Sequence, residues 1–324
     1  MIKNRTVLVL GAGASKPYGY PLGQELVNKI VSDAMNPGSY LDQVLGLCHI
    51  PEISIKTLGT ELKASARPSI DAFLESRTDL LPVGRLAIAV ELLFYEESAR
   101  IHATDDWYQY LFNKMCAPSQ FESFGTSKVS IVTFNYDRSL EFCLFTALRK
   151  SFQKSVAECV ENFERIPIIH VHGRIGPSPT DEKLLPYGTP MSPAVFQDFA
   201  KRLLPDIAKQ IRIIHEVKDD MAEFKAAQTL LSQAERICFL GFGFHETNLR
   251  RLFKGITTLE DPTQTPNSGT WRLFSGVKIF AHNFDFTESE KKDIQRLLPR
   301  PTCDWRVRKQ SCKDFLRESG VLLD

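Results

Sequence analysis

The asparagine, aspartate and histidine residues that could do chemistry in this chain stand directly after short apolar runs. Asn135 and Asp137 follow VSIVTF (129–134) in TFNYDRSLE. An asparagine amide offers both a donor and an acceptor, which suits it to hold a ribose hydroxyl or a water. An Asx turn satisfying loop amides would use the same atoms. Asp137 reads equally as a ligand contact and as a helix N-cap or first-turn carboxylate. Downstream, Ile169-His170-Val171-His172-Gly173 is expected to send its two histidines to opposite faces of a strand. Imidazole titrates near neutrality and suits general-base work. His172, beside a glycine at the strand's C-terminal lip, is the catalytic candidate, with a structural role as the alternative. His170 is expected to be a hydrogen-bonded core residue. Diverging side chains with no adjacent carboxylate or cysteine do not make a metal site.

Two glycine-rich exits accompany these residues. Gly11-Ala12-Gly13-Ala14-Ser15 follows TVLVL, and Gly241-Phe242-Gly243 follows RICFL. The first holds two of the three glycines of a dinucleotide fingerprint, with Lys16 at the third position, and no phosphate-loop G-K-[ST] follows. Gly11 permits a tight turn, and Gly13 lets backbone approach a phosphate. A plain glycine-rich strand exit is the competing explanation. His245 lies in GFGFHETNL, within reach of a ligand or simply at a helix start. His282 and Asn283 end GVKIFA, where either a nucleotide ribose contact or a turn would use them. His49, His102 and His215 have no supporting context.

These residues need a scaffold that gathers strand ends. TVLVL, VSIVTF, IPIIHV (166–171), RICFL and GVKIFA are continuously apolar and β-branched, the pattern of strands buried on both faces. Residues 305–307 are a further candidate before a final helix through Phe315 and Leu316. Leu26, Val27, Ile30, Val31 and Ala34 recur at helical spacing after the first glycine loop. Residues 36–120 contain no convincing strand: Ser69 can cap a helix beginning SIDAFLE, 86–95 is apolar nearly all round, and Trp107, Tyr108, Leu111 and Phe112 form another helical face. The expectation is one domain over 1–324, an α/β fold with a doubly wound, mainly parallel sheet and a helical insertion at 36–120. Residues 174–190 and 257–270 read as loops.

Forty Lys plus Arg against thirty-nine Asp plus Glu give a charge of +1, so composition does not indicate a nucleic-acid partner. Twenty-two Phe, eight Tyr and three Trp supply ample core material and disfavour disorder. The seven cysteines include no CxxC pair, and they read as reduced thiols of a cytoplasmic protein with no bound metal. The longest apolar run is about half a membrane span, so no membrane association is expected.

The combination is more specific than any part. GAGAS…GYP at 11–21, TFNYD at 133–137, HG at 172–173, GFGF at 241–244 and Asn283 resemble, in order and rough spacing, the nicotinamide-dinucleotide domain of sirtuins. SIDAFLE and FNYDRSLE bring the chain nearer the sirtuin-like proteins of prokaryotic antiviral defence, over residues 5–319. The resemblance implies a Rossmann-like fold with NAD as substrate. It places the phosphates on Gly11, Ala12, Gly13, Ala14 and Ser15, and the nicotinamide end near Tyr20, Pro21, Asn135 and Asp137. It makes Asn135 and His172 catalytic, puts ligand contacts at Gly241, Phe242 and Gly243, sets Asn283 near the adenosine ribose, and marks Asp71 as a pocket feature. Gly243 departs from the family's serine and removes a hydroxyl. Zinc-containing sirtuins carry paired CxxC motifs after the histidine–glycine pair, whereas this chain has no cysteine between Cys159 and Cys238. A zinc ribbon is therefore not expected, and protein deacylation or ADP-ribosylation is disfavoured. The implied activity is hydrolysis of NAD to nicotinamide and ADP-ribose by an antiphage effector that depletes the cell of NAD when activated. A sensor or scaffold that binds NAD or ADP-ribose without turnover is the alternative. With no fused sensor expected at this length, gating is expected from a homo-oligomer or a regulatory protein encoded nearby.

Overall fold

Each of the longer strands is buried on both faces because alternate residues enter two different cores. In β1 (Thr6–Leu10), Leu8 and Leu10 pack with Ile131, Cys238, Leu240 and Phe280, while Val7 and Val9 pack on the opposite side with Val132, Ile237, Phe239 and Ile279. The period of two makes a continuous apolar run the right sequence for such a strand. The computed structural model describes residues 1–96, 98–103, 106–117, 120–180, 186–188, 193–213, 222–254, 256–257, 271–272, 276–282, 286–298, 303–306 and 310–323.

After β1 come a one-turn helix α1 (Ala12–Ser15) and α2 (Gly23–Ala34). The stretch 36–120 then supplies α3 (Tyr40–Leu47), α4 (Glu52–Ala64), α5 (Ile70–Leu74), α6 (Leu81–Phe94), α7 (Ser98–Ala103) and α8 (Trp107–Met115). Its described residues hold no strand, only an isolated bridge between Ala117 and Gln120. Ser39 and Ser69 cap α3 and α5, accepting from Asp42 N at 3.1 Å and Ala72 N at 3.2 Å. Helix α6 is buried from Val83 to Leu93 apart from Arg85, and its Ile88 and Val90 share a core with Leu8 and Leu10 of the sheet. The insertion thus packs as one layer over one sheet face.

The chain returns through β2 (Val129–Thr133), α9 (Ser139–Ser151), α10 (Val156–Phe163) and β3 (Ile168–His170). Next come α11 (Pro193–Arg202), α12 (Leu204–Gln210), α13 (Ala222–Gln233), β4 (Arg236–Leu240) and α14 (Glu246–Leu252). Two short strands, β5 (Ile256–Thr257) and β6 (Trp271–Arg272), pair apart from the main sheet. Strand β7 (Lys278–His282), α15 (Glu288–Leu297), β8 (Cys303–Arg306) and α16 (Cys312–Ser319) complete the described chain. The six-stranded sheet has the order β3-β2-β1-β4-β7-β8, every pair parallel. It is a doubly wound, Rossmann-like sheet, and no zinc ribbon occurs among the described residues.

Strand ends differ from the sequence expectation for local reasons. Strand β3 is shorter than IPIIHV because Pro167 has no N–H and gives the sheet only its carbonyl, which takes Ile131 N at 2.8 Å. Gly276, at φ +96°, turns the chain before β7. Strand β8 occupies 303–306, and Val307 lies outside the described residues, as do 258–270 of the second proposed loop. Among the described residues no helix is long and apolar enough to cross a membrane.

The register sets Leu10 beside both Thr133 and Leu240, so the segments after β1, β2 and β4 leave the sheet at one edge. Sheet order reverses between β1 and β4, and the loops there diverge to opposite faces and leave a crevice.

Candidate functional site

Glycine is required where the β1 and β4 loops cross. A Cβ on Gly11 would lie 2.6 Å from the Gly241 carbonyl oxygen, and one on Gly241, at φ +55°, would lie 2.1 Å from Ala14 N. Gly13 N donates to that same Gly241 oxygen at 3.0 Å. The GAGAS and GFG segments therefore lock each other, and backbone packing accounts for Gly11, Gly13 and Gly241. Phe244, at φ +49°, is a bulky residue in the left-handed region, held by ring contacts with Phe239, Phe242 and Phe286.

Below this crossing lies a buried polar network. Asn135 Nδ2 donates to Gly11 O at 2.9 Å and to Ser15 Oγ at 3.0 Å. The carbonyl fixes the amide's orientation, and among the described residues no donor takes its Oδ1. Asp137 accepts from Ser15 Oγ at 2.8 Å, from Ser139 N at 3.1 Å and from Ser139 Oγ. Ser139 Oγ is also 2.7 Å from the Tyr108 hydroxyl. Asp137 thus fastens the start of α9 to the glycine loop, and burial raises its carboxyl above the ordinary range against the pull of its serine donors.

Two chambers flank the crossing. The first, about 260 Å³, is lined by Gly11, Ser15, Tyr20, Pro21, Asp71, Asn135 and Asp137, with Phe134, Tyr136 and Phe244 completing its wall. The second, about 380 Å³ and more apolar, is lined by Gly13, Pro17, Gly241, Phe286, Gln310 and Cys312. Ala12, Gly23, Phe242 and Gly243 border both. A Cβ on Gly243 would meet nothing within 4 Å, so its missing side chain is open space at the junction. Lys16 lines the second chamber, and its ammonium is already paired with Glu25.

Ala14 lines neither chamber: it is buried, and its carbonyl accepts from Trp107 Nε1 at 2.8 Å. Asn283 lies outside the described residues. His282 borders the second chamber, bonded through Nε2 to Gln310 O at 2.8 Å, and burial lowers its pKa. His245 borders the first chamber as the exposed residue before α14.

The two histidines of IHVHG do reach opposite faces, through the turn that follows β3 rather than through strand pleat; two residues apart within a strand would share a face. His170 sits 2.9 Å from Asn135 O through Nδ1 and 2.6 Å from Glu141 Oε1 through Nε2. Burial acts to raise the Glu141 carboxyl, but its interactions with His170, hydrogen bond included, and with Arg174 outweigh it and hold the group low. His172 packs against Phe134 and Phe224 with ring centroids 5.3 and 6.1 Å away. It is 4% exposed, and it does not line the first chamber; among the described residues neither ring nitrogen makes a hydrogen bond of full geometry, although the Asn248 side chain lies close enough to interact with the ring. Burial, aided by the Arg251 charge, depresses its pKa to about 4. Phe134 and Asn248, which do line the chamber, lie against His172 and separate it from that space.

Sequence reasoning had no signal for Phe134, Tyr136 or Asn248 as wall residues, since aromatics after a strand look like core. Phe244 was visible only as part of GFGF. No group of three histidine, cysteine or carboxylate side chains among the described residues is placed to hold a metal ion. Compared with family models, curated proteins and solved structures, the chain matches none.

Proposed function

We propose that the chain binds NAD across the two chambers and hydrolyses its nicotinamide–ribose bond. The observation that carries this reading is the pair of chambers, the first more polar than the second, that share Gly243 where sheet order reverses. Their volumes suit a dinucleotide-sized ligand. In this reading the second, more apolar chamber would take the adenosine, the pyrophosphate would pass the backbone at Ala12, and the first chamber, with Asn135, Asp137 and Asp71 in its wall, would take the nicotinamide riboside. The resemblance of GAGAS, TFNYD, HG and GFGF to sirtuins of antiviral defence supports the same assignment.

The chemistry asks little of the protein. Heterolysis at ribose C1′ leaves an oxocarbenium-like sugar and a neutral leaving group, so leaving-group protonation is unnecessary. Asn135 Oδ1, left over after the amide has tied the glycine loop, would accept from a ribose hydroxyl or the attacking water. Such positioning lowers the barrier by prepaid orientation. In the same proposal the enzyme depletes cellular NAD in antiphage defence and is gated by self-assembly or a regulatory protein. Incubation of purified protein with NAD, with separation of nicotinamide and ADP-ribose across protein concentrations, tests turnover and gating together.

A second reading has its own support. His172 is walled off by Phe134 and Asn248, and a base that cannot touch the ligand favours a module that binds NAD or ADP-ribose without turnover. Calorimetric binding with no nicotinamide release would select it.

A further inference from the structure

The first chamber contains few groups able to take a proton, and their surroundings separate them. The Tyr20 hydroxyl is bonded to that of Tyr187 at 2.9 Å, and burial raises its pKa far above neutrality. Both oxygens of Asp137 are occupied by serine donors. His172 is enclosed behind Phe134. Asp71 differs from all three. Its Oδ1 accepts from the Tyr136 phenol, and among the described residues no other residue's donor reaches its Oδ2. Ser69 caps α5, and buried Ile70, Phe73 and Leu74 anchor that helix, so Asp71 stands on a rigid turn as half-buried lining of the chamber.

We propose that Asp71 is the catalytic base of the first chamber, with Tyr136 as the residue that positions it. The proposal rests on the NAD-hydrolase reading. The C1′–N bond breaks with its electron pair passing to the nicotinamide nitrogen. The water oxygen then bonds to C1′, and its proton passes to Asp71 Oδ2 and on to solvent. NAD and water thus yield nicotinamide, ADP-ribose and one proton. Before the water adds, the carboxylate also faces the sugar's positive charge, where a fixed anion is most effective. Burial raises the Asp71 carboxyl and makes it a better base; the Tyr136 phenol opposes that, and Glu75 at the C-terminal cap of α5 adds to it. Among the described residues, the other charged or titratable groups facing this space are Asp137 and Tyr136 from the segment after β2, Tyr20 from the segment before α2, and His245 before α14.

The test compares wild type with Asp71→Asn, Asp71→Glu and Tyr136→Phe. Asparagine keeps the acceptor for Tyr136, so the fold and NAD affinity by calorimetry should hold within about threefold while kcat for nicotinamide release falls by about 100-fold or more. Asp71→Glu should recover part of that loss. Tyr136→Phe removes a donor that favours the ionised carboxyl, so the acid limb of its kcat–pH profile should move to higher pH. Wild-type kcat in Asp71→Asn overturns the assignment, as does an unmoved acid limb in Tyr136→Phe. If Asp71→Asn does not fold, the Tyr136→Phe profile decides. No nicotinamide release from wild type overturns the hydrolase reading and Asp71's role with it; equal release from wild type and Asp71→Asn overturns only the role of Asp71.

Discussion

His172 costs stability where it sits. Among the described residues its two buried nitrogens make no hydrogen bond of full geometry, with only the Asn248 side chain nearby, so they forgo hydration that an apolar ring of similar shape would not need. His172→Phe should therefore raise the melting temperature, and a lower value in calorimetry would contradict the packing described here. The same residue sets a pH dependence. With its folded pKa at about 4 and an unfolded value of 6.5, it is neutral in the fold and charged in the unfolded chain between them. That contribution is fully present above pH 6.5 and is lost as pH falls towards 4, by at most about 3 kcal/mol. Urea titrations at pH 7 and pH 4.5 should show a steeper loss for wild type than for His172→Phe. Asn135 behaves oppositely: Asn135→Ala removes the donor to Gly11 and Ser15, and should cost roughly 1–2 kcal/mol in the same titrations.

The loop after β4 presents two glycines with opposite tolerances. Gly241→Ala must displace the Gly13–Ala14 backbone and adopt a strained φ, so it should destabilise by several kcal/mol (about 2–4). Gly243→Leu starts from open space around its Cβ, should leave the melting temperature within about 2 °C, and should abolish NAD binding by filling the junction between the chambers. Normal calorimetric binding in Gly243→Leu would show that no ligand spans them. At this scale the sequence was highly legible. Strands β1 and β4 run as TVLVL and RICFL indicate, because a strand buried on both faces must be continuously apolar. The insertion was legible as helical from its caps and apolar spacing. The placement of His172 was not, because its surroundings depend on Phe224 and Asn248, which are distant in sequence and carry no local pattern.

At the scale of the molecule, the buried pair Arg138–Glu96 joins three regions. Both Arg138 Nε and Nη2 meet the Glu96 carboxylate at 2.8 Å, Nη1 donates to Pro177 O at 3.1 Å, and the guanidinium lies over Tyr187. The insertion, the start of α9 and the segment after β3 are tied at one point. Burial acts to raise the Glu96 carboxyl and lower the Arg138 pKa, while their mutual attraction opposes both effects. Removing one partner strands a buried charge, so Arg138→Met should cost about 3–5 kcal/mol, and adding Glu96→Leu should recover much of it. A double variant no more stable than the single one, measured by urea unfolding, would show that the pair supplies more than mutual neutralisation. Nothing in the sequence marked Glu96 and Arg138 as partners, since forty-two residues separate them.

The hydrogen bond from Gly13 to Gly241, together with the indole of Trp107 on Ala14, also orders events during synthesis. The glycine loop leaves the ribosome well before two of the contacts that shape it, which wait for residues 107 and 241. A growing chain therefore carries its loop unformed until most of the domain has emerged, and domains mature as units once their distant segments arrive. If the chain binds NAD as proposed, fragments ending before β4 should fail to bind it whatever else they fold, because the loop lacks the Gly241 contact that shapes it.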